Sequence, residues 1–246
     1  MPVTRADYGF DSPYVPVGLC VAALLGFVAA GACGAVGWRR MAALSLVIAF
    51  IFALSAASFL FTTRQGKLAV WSELLDGLRL RGDEPLLDVG CGRGAVLLLA
   101  AKRLTSGRAV GIDMWSTIDQ SGNSESTTLR NAALEGVREC VELHTGDMRK
   151  LPFQDRSFDV VTSSLAIHNI VDEDGRARAL QEIWRVTKPG GTALLADIRH
   201  TAEYARRLVA LPDASVEHRR LGWRFWYGGP QAATGLVTMR RRPSRS

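Results

Sequence analysis

From Tyr14 to Trp38 the chain carries no charged residue. Arg39 and Arg40 then intervene, and from Met41 to Phe61 it again carries none. Each run meets the roughly 20 residues that a helix needs to cross about 30 Å of hydrocarbon. Small residues recur in both, with Gly26, Gly31, Gly34 and Gly37 in the first and Ala53, Ser55, Ala56, Ala57 and Ser58 in the second. Such residues let two helices approach closely in lipid. The reading is a transmembrane α-hairpin at 14–61 with a short connection. A cleaved signal peptide is the rival, but the first run is too long and starts too late. A buried soluble hairpin is the other rival, and two uninterrupted apolar runs of this length argue against it.

Two spans put both chain ends on one side. Arg39 and Arg40 mark the tip, while Arg5, Arg64, Lys67, Arg79 and Arg81 flank the other ends. Positive charge collects on the cytoplasmic side, so the main domain is expected in the cytoplasm, with the tip arginines pulling the other way. Residues 1–13 are polar with two prolines and are expected to be a flexible lead; 242–246 read as a basic tail. The four cysteines, Cys20, Cys33, Cys91 and Cys140, form no CxxC pair, and the histidines have no ligand spacing, so no metal is expected. The net charge of +6 is spread along the chain, with one dense patch at the C-terminus. For a chain with apolar spans, lipid headgroups are a better partner for it than nucleic acid.

Beyond the hairpin, Leu86-Leu87-Asp88-Val89-Gly90-Cys91-Gly92-Arg93-Gly94 runs from an apolar stretch through an acid to three alternating glycines. A helical pattern follows. This predicts a buried strand, a tight turn and a helix start. Glycine lets backbone approach a ligand where a Cβ would collide. Further strands are expected at 109–113, 141–144, 158–163 and 192–198, alternating with helices near 94–104, 126–136, 173–187 and 200–210. An amphipathic helix over Gln65–Leu80 leads in. Alternation predicts a parallel sheet covered on both faces. Val216–Phe225 and Gly235–Arg241 read as two last strands with no helix between, so the sheet should end antiparallel.

The glycine turn alone fits a dinucleotide as well as an adenosyl ligand. Val110-Gly111-Ile112-Asp113 adds a strand ending in an acid, which can accept from ribose hydroxyls in either case; a helix cap is the rival reading of Asp113, and the paired glycine turn argues against it. Further along come Gly146-Asp147-Met148, Leu151-Pro152-Phe153 before Phe158-Asp159-Val160-Val161, and Arg185-Val186-Thr187-Lys188-Pro189-Gly190-Gly191. With these motifs in this order, residues 65–241 resemble the class I S-adenosylmethionine-dependent methyltransferases. The resemblance implies an α/β, Rossmann-like sheet of seven strands, mostly parallel, with an antiparallel C-terminal pair. It implies S-adenosylmethionine as cofactor.

By the same resemblance, Asp88 and the backbone of Gly90, Cys91, Gly92 and Gly94 should surround the methionine moiety. Asp113 should hold the ribose and Met114 pack on the adenine. Asp147 should accept from the adenine amino group, with Met148 beside it. Ser163 to Leu165 should border the methyl donor. Leu165-Ala166-Ile167-His168-Asn169-Ile170 is similar to the corresponding stretch of quinone-biosynthesis C-methyltransferases. His168 is the candidate general base, its ordinary pKa lying near neutrality; a loop-fixing hydrogen bond is the alternative, and the favoured one for Asn169.

The stretch from Met114 to Glu125 is longer than the family usually has. Trp115, Asp119, Gln120 and Asn123 are candidates for a lid over the cofactor, against a plain solvated excursion. Trp223, Phe225, Trp226 and Tyr227, interleaved with Arg219, Arg220 and Arg224, suit a membrane interface or simple packing. The expected function is methyl transfer to a small or lipophilic acceptor at a membrane. A nicotinamide-dependent oxidoreductase and a silent adenosyl-binding protein are the alternatives. The acceptor, the atom methylated and the oligomeric state are left open by the residues.

Overall fold

The computed structural model describes residues 6–117 and 120–243. Arg5, Asp119 and the end of the basic tail therefore lie outside the described residues. The chain opens with two apolar helices, α1 (Tyr14–Ala35) and α2 (Arg39–Phe61). Both are long and apolar enough to cross a membrane. They pack on small residues: a Cβ on Gly26 would lie 2.9 Å from the Cβ of Ala49, which is fully buried. Phe27 meets Phe50 edge-on at 5.4 Å. The outward faces are left bare, with Leu24 62% and Leu54 68% exposed.

Helix α2 does not stop at the end of its apolar run. It passes through one π-helical turn, Thr62–Gly66, into α3 (Lys67–Gly77). The expected lead-in helix is thus continuous with the hairpin. Strands and helices then alternate: β1 (Leu86–Val89), α4 (Ala95–Ala101), β2 (Ala109–Asp113), α5 (Glu125–Leu134), β3 (Val141–Thr145) and β4 (Phe158–Ser164). They continue as α6 (Glu173–Val186), β5 (Thr187–Asp197), α7 (Thr201–Val209), β6 (Ala214–Arg220) and β7 (Gly235–Arg241). Side-chain caps set the starts of two helices, with Ser124 Oγ accepting from Thr127 N–H and Asp172 Oδ1 from Gly175 N–H.

The seven strands lie in the order β3-β2-β1-β4-β5-β7-β6. The first five are parallel, and β7 joins β5 and β6 antiparallel. Every residue of β1 is buried, as a central parallel strand covered on both faces requires. Strand β5 begins at Thr187 rather than near 192, with a register shift against β4 where Lys188–Gly191 intervenes. The strand expected over Val216–Phe225 ends at Arg220. Gly222 turns at φ +79° and a 3-10 turn follows at Trp223–Phe225, because Phe225 is fully buried against the hairpin side of the domain rather than continuing the edge.

That aromatic turn is where hairpin and domain lock. Thr62 Oγ1 and Ser58 Oγ both donate to Trp226 O, at 2.7 and 3.1 Å. Trp223 stacks on Phe61 at 5.4 Å, and Arg224 pairs with Glu73. Gly66 is helical, yet a Cβ there would sit 1.9 Å from Arg224 O.

The expected flexible lead also differs from what is found. Asp7 N–H donates to Asn131 Oδ1, whose Nδ2 returns a bond to Asp7 O. Arg93 Nη2 pairs with Asp7 at 2.8 Å. Phe10 and Ser121 exchange two bonds, Tyr8 OH donates to Glu135, and Asp11 pairs with Lys67. Residues 7–11 thus form an arm across the domain that leads directly into α1.

The joint between hairpin and domain is testable by volume. Gly66→Ala must push Arg224 backbone away, an overpacking cost of about 1–3 kcal/mol. Gly77→Ala, where a Cβ meets nothing within 4 Å, removes a poor helix former and is expected to be neutral or stabilising by up to about 1 kcal/mol. Thermal unfolding of the detergent-solubilised protein should show Tm falling for the first variant only.

Candidate active site

Between β1 and β4 the strand order reverses, and the connections leave the sheet in opposite directions. In open α/β sheets this opens a crevice at the carboxyl ends of the strands. The glycine turn sits at its centre. Gly90 and Cys91 N–H both donate to Ile112 O, tying the turn to β2. Gly90, Gly92 and Gly94 have φ of +73°, +51° and +86°. At Gly90 the demand is for space as well, since a Cβ would lie 2.3 Å from the Cβ of Ala166. The loop after β4 therefore rests on the glycine turn.

Two acids face this turn. Asp88 is 2% exposed, and Thr162 Oγ1 donates to its Oδ1 at 2.7 Å. Burial pushes its pKa up to about 7, with the nearby Asp113 charge adding to the rise. Asp113 accepts from Gly92 N–H through Oδ2, and from Trp115 N–H and Asn123 Nδ2 through Oδ1. Cys91 is buried in the turn, and desolvation holds its thiol well above the usual range. Among the other expected site residues, Met114 is exposed beside Asp113, while Met148 reaches within 3.4 Å of where a Gly90 Cβ would lie. Ser163 Oγ donates to Val89 O and binds β4 to β1. Leu165 turns at φ +57° into the next loop. Asp147 stands apart from this group: both its oxygens accept from Arg149 Nε, which holds its carboxyl below the usual range.

The long stretch after Asp113 folds back over the turn rather than into solvent. Gln120 Oε1 accepts from Arg93 N–H, and its Nε2 donates to Tyr8 O in the N-terminal arm. Asn123 is buried, and its Oδ1 has no partner among the described residues. Trp115 Nε1 donates to Thr145 Oγ1 at the end of β3.

On the other side of the turn lies His168. Its Nδ1 is 2.5 Å from Asp197 Oδ1, though off hydrogen-bond alignment, and its backbone N–H donates to Asp197 Oδ2. Asp197 is 2% exposed and also receives Tyr204 OH at 3.3 Å and Ile198 N–H at 2.8 Å. Sequence reasoning missed Asp197. Its signal was an acid closing the apolar run Leu194-Leu195-Ala196, the same pattern that drew attention to Asp88 and Asp113. The arm was missed as well; Asp7-Tyr8-Gly9-Phe10-Asp11 alternates acids with aromatics, which a solvated lead has no reason to do.

Asp88 generates a pH prediction. Its raised pKa leaves it protonated below about 7. A cationic ligand group beside it favours the carboxylate, so affinity for such a ligand should rise with pH through about 7. Titration of S-adenosylmethionine at pH 5.5 to 8.5 should show affinity approaching a tenfold gain per unit on the acid side. Asp88→Asn should bind more weakly at pH 8 and lose the slope.

Comparison with known proteins fits this geometry. A family model described as a methyltransferase domain matches residues 87–195. The ubiquinone/menaquinone biosynthesis C-methyltransferase UbiE of Ruegeria sp. (strain TM1040) is 33% identical over 129 residues, 52% of this chain and 48% of its own length. The chloroplastic 2-phytyl-1,4-beta-naphthoquinone methyltransferase of Arabidopsis thaliana is 33% identical over 113 residues, 46% of this chain and 41% of that protein. The chain thus spans about half the length of the curated relatives it matches. A SAM-dependent methyltransferase from Aquifex aeolicus superposes with a TM-score of 0.53 at 19% identity, covering 69% of this chain and 89% of that one, and so shares the fold. The comparisons and the geometry agree: residues 87–195 match a methyltransferase domain, and the strand order with its antiparallel end is the fold shared with the Aquifex aeolicus S-adenosylmethionine-dependent methyltransferase.

Proposed function

We propose that the protein is a membrane-anchored methyltransferase acting on a small lipophilic acceptor, in the cytoplasm-facing layer of the bilayer. The observation that carries this is a juxtaposition: the crevice with its glycine turn, two acids and His168–Asp197 pair lies beside the point where the apolar hairpin enters the domain. The acceptor class is suggested by the relatives, whose names specify quinone-type rings. A reduced ring bearing an apolar tail is the acceptor this arrangement suits.

The crevice fits S-adenosylmethionine. The turn from Gly90 to Gly94, with positive φ at its three glycines, runs against Asp88 and Asp113, and Asn123 Oδ1 beside Asp113 is a buried acceptor without a partner among the described residues. Asp88 and the turn from Gly90 to Gly94 would hold the methionine end, and Asp113 the ribose. Met114 would cover the adenine, and Asp147 its amino group once Arg149 yields one oxygen. When bound, the cofactor supplies a methyl group on a positively charged sulfur. Ser163 and Leu165 border that end and help exclude water.

His168 is the proposed base. Asp197 at its Nδ1 leaves Nε2 free to accept a proton. With the methyl supplied to a ring carbon of the acceptor, Nε2 would take the proton that this carbon gives up. A ring hydroxyl used as nucleophile would need the same base. Orientation rests on Arg64, Arg79 and Arg81 near the domain side; Lys67 is 4% exposed and paired with Asp11, so it does not count as an interfacial charge.

Two outcomes follow. Full-length protein should stay with the membrane through an alkaline carbonate wash and leave it in detergent; release by the wash would contradict anchoring. In liposomes, the enzyme should transfer labelled methyl from S-adenosylmethionine to 2-phytyl-1,4-naphthoquinol. His168→Ala should lower kcat by about 10²–10⁴-fold with cofactor affinity unchanged. An unaltered rate removes His168 as the base, and binding of cofactor without any transfer favours a silent adenosyl-binding protein.

A further inference from the structure

A second polar cluster lies on the hairpin side of the crevice, inside an otherwise apolar region. Asp11 Oδ2 accepts from both Lys67 Nζ and Tyr227 OH, each at 2.6 Å. Lys67 and Tyr227 are buried. Around Tyr227, Val15 and Leu19 of α1, Phe59 of α2 and Trp71 of α3 pack in the same cluster as Leu165 and Ile198 of the crevice. Gly228, the next residue, is in reach of Leu19 and Ser55 of the two hairpin helices. Tyr227 is also close enough to feel the charge of Asp197, the partner of His168. One continuous apolar cluster therefore joins the hairpin helices to Leu165 and Ile198, the residues that flank the His168–Asp197 pair in sequence, with the polar group at its edge.

The cluster is under-used by the protein. A protonated lysine has three donors, and Nζ has one acceptor among the described residues, Asp11 Oδ2. No donor among the described residues reaches Tyr227 Oη, which itself donates to Asp11. Four residues before Lys67, on the same continuous helix, Thr63 is 4% exposed and its buried Oγ1 has no partner. Buried polar groups are normally satisfied. Unspent donors and acceptors gathered beside an apolar cluster suit a ligand that is apolar in bulk and carries an oxygen.

We propose that Lys67, Tyr227 and Asp11, with Thr63, form the binding site for the ring hydroxyl of a lipid-tailed phenolic or enolic acceptor, whose tail leaves along the α1–α2 hairpin. This deepens the reading above and rests on it for the direction of transfer. Lys67 donates to the acceptor oxygen and favours its oxyanion. Tyr227 fixes the ring relative to His168. Asp11, carried on the arm that also contacts Gln120 across an isolated β-bridge, links acceptor binding to the loop over the glycine turn. A purely structural clasp, holding arm, helix and aromatic turn together, would use the same bonds but would not recognise a hydroxyl.

The test is binding, read separately from catalysis. Full-length protein in nanodiscs is titrated with 2-phytyl-1,4-naphthoquinol and with its di-O-methyl ether, following tryptophan fluorescence. Wild type should bind the quinol at least tenfold more tightly than the ether. Tyr227→Phe, which keeps the Lys67–Asp11 pair, and Lys67→Met should each erase most of that difference. Affinity for S-adenosylmethionine should stay unchanged. Equal affinities for quinol and ether in wild type, or quinol preference kept in both variants while only Tm falls, would overturn the site. Quinol preference with no methyl transfer would overturn the function above and leave this site standing.

Discussion

Everything in the crevice depends on how β1 is held. It is a four-residue strand, buried throughout, between β2 and β4. The Asp88 carboxyl is fixed to β4 by Thr162, and the turn that follows is fixed to β2 by two bonds to Ile112 O. With both flanks pinned, the chain must reverse direction in a few residues, and positive φ at three glycines makes that reversal possible. The cost is a carboxyl placed almost out of water, whose pKa rises to about 7. Such a group is poorly suited to holding the fold and well suited to meeting a cation.

The two sides of the crevice are tied to the apolar hairpin by different means. On the cofactor side, the arm at residues 7–11 holds Arg93 and Gln120 and leads into α1. On the β4 side, α2 runs through a π turn into α3, whose Trp71 donates to Ser164 at the end of β4. The hairpin is thus part of the frame of the site, joined at both ends, rather than an anchor on a loose linker. Under the proposed function, this frame sets where an acceptor drawn from the bilayer meets the methyl donor.

Strong periodicity was legible in the sequence, and tertiary contacts were not. The strands at 109–113 and 235–241 match residue for residue, because apolar runs bounded by turns have one way to be buried in a sheet covered on its faces. The strand expected to reach Phe225 stopped at Arg220, since the aromatic residues answer to Phe59, Phe61 and Gly66, far away in the chain. The arm was read as a lead because its partners, Asn131, Ser121 and Arg93, are likewise distant. At the site, the glycine turn and its two acids were visible as a local motif. Asp197 and the Lys67–Asp11–Tyr227 cluster were not, because neither is a motif until the fold brings its members together.

The central claim is that the β1–β2 end of the crevice is a site for S-adenosylmethionine, with Asp113 as its ribose acceptor. Calorimetric titration of the cofactor into full-length protein in nanodiscs, wild type against Asp113→Ala, tests it most directly. The account predicts saturable one-to-one binding by wild type and a loss of at least tenfold in affinity for the variant, with the fold intact by circular dichroism. Equal binding by the two proteins would contradict it.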